Sequence, residues 1–171
     1  MEQAAYLLCA DIGTSSLKAA FISTSGELLA FVREPYPAER VLSGTVLATD
    51  WEDAFTRAVG ALEAVLSPRG NRAKLAGVAI SGNGPTLVPV TRTGQALLPL
   101  HWHDGRVARI ADTAAAPSLF LPHAAYLAQK EPAHYETTGR FLSTQEWLSW
   151  RLGAEPVTVI PNQAYIPYYW D

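Results

Sequence analysis

Apolar residues fill nearly every position of Tyr6–Ile12, which predicts a strand covered on both faces and so central in a sheet. Leu17–Ser23 predicts a second strand, and the short polar Gly13-Thr14-Ser15-Ser16 between them predicts a hairpin turn. Thr24-Ser25-Gly26-Glu27 marks another turn and Leu28–Val32 a third strand, so an antiparallel three-strand meander opens the chain. Glu34–Ala48, with Pro35, Pro37 and Gly44, is expected to be a loop. Thr49-Asp50-Trp51-Glu52 fits a capping box, and Trp51, Phe55, Ala58, Leu62 and Val65 follow at helical spacing, with a stop at Ser67-Pro68-Arg69-Gly70.

Leu75–Ile80 predicts a fourth strand that runs into Ser81-Gly82-Asn83-Gly84-Pro85. Leu87–Val90 and Gln95–Leu98 predict a second hairpin about Thr91-Arg92-Thr93-Gly94. That turn shares its chemistry with Ser23–Glu27: hydroxyl, any residue, hydroxyl, Gly, then Glu or Gln. The remainder predicts helices over Arg106–Ala115, over Pro122–Lys130 with Pro122 in its first turn, and after a capping box at Ser143-Thr144-Gln145-Glu146. In that last helix Trp147, Leu148 and Leu152 supply the apolar positions and Gly153 the stop. Pro156–Asp171 is rich in proline and aromatic residues, with Tyr165, Tyr168, Tyr169 and Trp170 expected to pack against protein. Strands followed by alternating helix and strand define an α/β domain with a mixed sheet.

The 171 residues suit one domain of moderate size, and a hydrophobic fraction of 49% supports a real core. A net charge of −3 and the lack of basic runs argue against general nucleic-acid binding. The single cysteine, Cys9, excludes a disulfide framework, favours a reducing cytoplasmic setting, and is expected to be a small core residue. No apolar run reaches a membrane span, so no membrane partner is expected.

The chemistry concentrates in the first turn. Gly13 allows positive φ and close approach of an anion, while Thr14, Ser15 and Ser16 add hydroxyls and Lys18 a charge. A Walker A loop is absent. Asp11 repels a bare phosphate but suits one accompanied by Mg²⁺, which takes a carboxylate or two together with water and phosphate oxygens. The residues alone leave two readings open: a magnesium-phosphate site, or an ordinary hairpin in which Asp11 makes a local bond. His101 and His103 share one face if extended, but four clustered ligands for a structural zinc are not evident.

The segment DIGTSSLKAAFISTSGELLA resembles the first phosphate motif of the FGGY carbohydrate kinases, in the superfamily that includes Hsp70 and actin. TDWEDAF resembles the start of that family's first long helix, and LAGVAISGNGPTLVPVTRTGQALLPLHWHDGR its strand, sugar-side loop, hairpin and Trp-x-Asp-x-Arg segment. PHAAYLAQKEP and STQEWLSWRLG are similar to two later helices, in the family's order. The resemblance implies an RNase H-like fold and an ATP-dependent kinase of a sugar such as a ketopentose, or of a polyol. It assigns Asp11, Gly13, Thr14, Ser15 and Lys18 to ATP, with Asp11 holding Mg²⁺ through water. It assigns Asn83, Thr86, Trp102, Asp104 and Arg106 to the substrate, with Asp104 and Arg106 either binding hydroxyls or pairing with each other. Trp102 either packs in the core or lays its face against the sugar. Pro85 stands near the position of a family histidine, which departs from the xylulokinase pattern. The sugar-side loop is expected to follow a central strand. His123 lies where the family often has Lys and is expected at the surface.

By the same resemblance, residues 1–171 are an N-terminal kinase domain that is incomplete: the catalytic base and the C-terminal nucleotide-binding domain are expected beyond residue 171, and a homodimer is plausible for the whole. The competing readings are a non-catalytic sugar-binding or assembly module of the same fold, and a non-kinase ATPase of the Hsp70 or actin type, against which the Trp102-x-Asp104-x-Arg106 segment argues.

Overall fold

The structure, a computed structural model, describes residues 5–66, 74–107 and 118–158. The chain divides into two compact units, Met1–Asn83 and Gly84–Asp171.

The first unit is built on a four-stranded sheet of order β3-β2-β1-β4. Its strands are β1 (Ala5–Ile12), β2 (Ser16–Ser23), β3 (Leu28–Pro35) and β4 (Lys74–Gly82). The opening meander is antiparallel as expected, and β4 lies parallel to β1, which makes the sheet mixed. Alternation along the strands sorts the residues by face. Leu8, Ala10 and Ile12 of β1, Leu17, Ala19 and Phe21 of β2, and Ala30 of β3 are buried. They meet α2 (Ala48–Leu66), which contributes the fully buried Trp51, Ala54, Ala58 and Leu62. The apolar stripe ends on Leu66 rather than Val65, which is 45% exposed, because four-residue steps from Leu62 keep Leu66 over the sheet.

Two local expectations shift. The start of α2 is held by Asp50, whose Oδ2 accepts from the Leu47 N–H at 2.8 Å, in place of a Thr49–Glu52 box. Asp50 also accepts from Arg40 Nη1 at 2.7 Å. Arg40 belongs to α1 (Ala38–Ser43), a short helix inside the segment expected to be a loop, which stops at Gly44 with φ 68°. Among the described residues β4 is an outer strand of the four-stranded sheet, with β1 and β2 between it and β3.

The second unit contains β5 (Val88–Thr91) paired antiparallel with β6 (Thr138–Leu142), and the helices α3 (Leu121–Lys130), α4 (Pro132–Thr137) and α5 (Thr144–Arg151). Leu87, Leu100, Val107, Phe120 and Leu127 form its core cluster. Gln95–Leu98 is not a strand: Ala96 makes only an isolated bridge to Val90, and β6 takes the ladder of β5. The capping box of α5 is complete, with Glu146 N–H donating to Ser143 Oγ and Ser143 N–H to Glu146 Oε2 at 2.6 Å. Gly153 follows at φ 91°, while Leu152 is exposed.

The two matching turns have one geometry. Ser23 N–H donates to Glu27 O and its Oγ accepts from Glu27 N–H at 2.9 Å; Thr91 repeats both bonds with Gln95 at 2.8 and 3.0 Å. Gly26 and Gly94 both have φ 90°. The greater part of the expected helix Arg106–Ala115, the stop at 67–70 and the aromatic stretch from Tyr165 to Trp170 lie outside the described residues. Among the described residues, no helix is long and apolar enough to cross a membrane.

Candidate functional site

The first turn is tight and internally braced. Gly13 N–H donates to Ser16 O at 3.1 Å, and Tyr36 N–H donates to Ser15 O at 3.1 Å. Ser16 is buried, and its Oγ accepts from Arg33 Nε at 2.9 Å, so its hydroxyl serves the scaffold. Gly13 does not use the positive φ open to it. Its glycine is required for space instead: a Cβ there would stand 2.8 Å from Ser16 O. Thr14 is exposed, and Ser15 half-buried.

Asp11 and Lys18 are register partners across β1 and β2, and Lys18 Nζ donates to Asp11 Oδ2 at 3.1 Å with both side chains 47% exposed. Ser81 is the partner of Asp11 on β4, so three polar residues form one row across three strands. The next row on that face is Ala20, Cys9 and Ala79, all small. Together these rows line a concavity of about 430 Å³, with Phe31 at one side. Cys9 is thus half-buried on the open face and is not the core residue expected. Sequence reasoning missed Ser81, Arg33 and Tyr36. Alternation along β4 could have given the first; the other two needed the register of the third strand. Tyr36 is buried beneath the turn, and burial first, then the charges of Asp11 and Asp50, push its phenol above the ordinary value.

The residues fit a magnesium-bound nucleotide phosphate in kind. Asp11 offers an accessible carboxylate, and Lys18 an accessible ammonium beside it. Among the described residues no group of three or more His, Cys, Asp or Glu could hold a metal by itself. A single carboxylate completed by water and phosphate oxygens is the arrangement that Mg²⁺ accepts.

The second group of sequence candidates divides between the units. Asn83 ends the first, with Oδ1 buried and without a hydrogen-bond partner. In the second, Thr86 is fully buried and its Oγ1 accepts from the Trp102 N–H at 3.2 Å. This hydroxyl therefore positions the tryptophan backbone. Gly84 has φ 29°, and a Cβ on it would lie 2.8 Å from Trp102 Cβ and Cγ. The indole itself is 50% exposed, so it is not a core residue.

Asp104 and Arg106 pair with each other. Asp104 Oδ2 accepts from Arg106 Nη2 at 2.6 Å, and Oδ1 accepts from Nε at 3.0 Å and from the Arg106 N–H at 2.9 Å. Arg106 also reaches Glu131 Oε1 at 3.3 Å and lies over the Tyr126 ring. Burial pushes the Asp104 carboxyl up, but the bonds from Arg106 outweigh it and hold the group below the usual carboxylate range. His123 is buried, contrary to the surface position expected, with Nε2 3.4 Å from His101 O. Burial lowers its pKa despite the neighbouring carbonyls and Asp104. It thus braces the segment that carries Trp102.

The fold defined by this sheet and its helices is that of the sugar kinases, which share the RNase H-like architecture of actin and Hsp70. At 16% identity the chain superposes on gluconate kinase from Lactobacillus acidophilus with a TM-score of 0.73, over 87% of this chain and 33% of that one. For xylulose kinase from Bifidobacterium adolescentis the values are 21% identity, TM-score 0.67, and 95% and 37% coverage. For Plasmodium falciparum glycerol kinase with ADP they are 15%, 0.67, 88% and 34%. The chain therefore spans about a third of the length of these kinases. At the level of sequence, no family model and no curated protein matches it.

Proposed function

We propose that this chain is the N-terminal part of an ATP-dependent carbohydrate kinase, acting on the hydroxyl of a ketose or polyol. The observation that carries the reading is the Asp11–Lys18 pair at the end of two central strands, on a fold shared with gluconate, xylulose and glycerol kinases. In this reading Lys18 meets phosphate oxygens, Asp11 orients the metal through water, and Gly13, Thr14 and Ser15 set the turn against the nucleotide. Bound Mg²⁺ would neutralise charge on the phosphates. Trp102 offers an indole face to the C–H face of a sugar, held in place by Thr86 and Gly84. Asn83, which ends the first unit, carries an unpartnered Oδ1 that a hydroxyl donor would satisfy. Asp104 and Arg106, satisfied by each other, keep the Trp102 segment in shape and leave Arg106 at its edge. The general base and the adenosine-binding domain belong to a further part of the protein.

The test is titration with Mg·ATP followed by NMR. The amides of Gly13–Lys18 shift, and Asp11→Asn or Lys18→Ala weakens the response by about tenfold, the loss of one charge-assisted contact. A coupled ADP-release assay with a panel of sugars gives no turnover by residues 1–171. Unmoved turn amides would overturn the nucleotide site, and robust turnover would overturn the placement of the base. A sugar-dependent rise in melting temperature with no nucleotide response would favour the non-catalytic module.

A further inference from the structure

Four of the seven described arginines are engaged by a carboxylate or hydroxyl. Arg40 has Asp50, Arg57 has Glu34, Arg106 has Asp104 and Glu131, and Arg33 has Ser16. Arg92 and Arg140 make no ion pair among the described residues, and both line the same concavity of about 430 Å³ in the second unit. Two arginines without an ion pair at one hollow favour an anion there.

Both arginines are held from below. Gly139, between Thr138 and Arg140 on β6, leaves the space that the Arg92 stem occupies: a Cβ there would meet Arg92 Cα and Cγ at 2.9 Å. Arg140 lies over the Trp150 ring at 5.3 Å, and the Gly94 turn closes on the edge of that ring, 3.2 Å from a Cβ built there. Ordering of this kind reduces the rotamer entropy lost when an arginine grips a ligand. Thr138 also lines the hollow, its hydroxyl proton already donated to His134 O at 2.8 Å, and Tyr135 and Phe141, with ring centroids 5.9 Å apart, add an apolar wall. Glu136 also lines the hollow and opposes an anion, which leaves a net charge of +1 from two arginines and one glutamate.

We propose that this hollow binds a small phosphomonoester, separately from the Asp11–Lys18 turn. The two guanidinium groups suit a dianionic phosphoryl group, each able to donate in bidentate fashion. The Tyr135–Phe141 wall suits an apolar or ring-shaped remainder on the ligand. Glu136 sets the affinity low and makes it responsive to salt.

The probes are phenyl phosphate and inorganic phosphate, titrated into the 171-residue chain and followed by amide NMR. Phenyl phosphate saturates shifts at Arg92, Gly139 and Arg140, and does so at lower concentration than inorganic phosphate. The exposed double variant Arg92→Ala, Arg140→Ala weakens binding at least about tenfold. Glu136→Gln strengthens it about threefold, a change that loss of packing would not produce. Lys18→Ala leaves these shifts unchanged, which separates this hollow from the turn in the first unit. Absence of saturable shifts on β5 and β6, or shifts that survive the double arginine replacement, overturns the proposal whether or not the nucleotide site is upheld.

Discussion

Two acid–base pairs of this molecule, Asp11–Lys18 and Asp104–Arg106, are put together in opposite ways. The first has one contact at 3.1 Å between side chains that are both about half exposed. The second locks both carboxylate oxygens, adds a backbone N–H, and leaves Asp104 only 13% exposed. A single exposed ion pair contributes little to stability and exchanges readily with water or a ligand. A multidentate, half-desolvated pair contributes more and stays shut. The loosely joined pair is thus suited to meeting a ligand, and the locked pair to holding a loop for other residues to use.

The sharpest challenge to this contrast is Gly84→Ala. The added Cβ would collide with Trp102 at 2.8 Å from a backbone with φ 29°. The loss should be about 3 kcal/mol, from overpacking and backbone strain together, read as a shift in the urea midpoint. Asp104→Ala comes next, with about 2 kcal/mol lost as Arg106 is deprived of its partner. An equal loss on Asp11→Ala would erase the distinction.

The pH profile sharpens it further. The folded-state pKa of His123 lies below its ordinary 6.5. The unfolded chain therefore takes up a proton first as pH falls. Stability is whole above pH 6.5 and declines below it until the folded-state value is passed. His123→Gln should flatten that decline in denaturant titrations between neutral and mildly acidic pH. Asp104, held below the carboxylate range, adds a separate loss once pH drops under 3.8. The smallest effect belongs to Lys18→Ala, which should alter stability by less than about 0.5 kcal/mol in the same titration.

What the amino-acid pattern disclosed follows the range of the forces involved. Strands β1 to β4 and the helices α2, α3 and α5 announce themselves through alternation or helical spacing. The Ser143–Glu146 box and the Ser23 and Thr91 turns are local hydrogen-bond motifs, and they form as their residues suggest. The short α1 and α4 and the five-residue β6 escaped notice, since each carries little periodicity. In β6, Gly139 weakens the strand signal further, and pairing with β5 depends on residues some fifty positions away. In the sequence Lys18 reads only as a charge near the turn; its contact with Asp11 follows from the hairpin register, which pairs the two residues. Bracing of the turn by Arg33 and Tyr36 was hidden, as was that of Trp102 by Thr86. These contacts depend on where distant backbone passes.

The paired turns at Ser23–Glu27 and Thr91–Gln95 have a consequence for engineering. Each is held mainly by bonds within five residues, through a hydroxyl facing the fifth amide and a second hydroxyl beside it, with one outside bond in the first from the Thr24 N–H to Ala5 O. Such a pentapeptide is portable: exchanging one for the other, or grafting either onto an unrelated pair of antiparallel arms, should carry its shape along without help from the host.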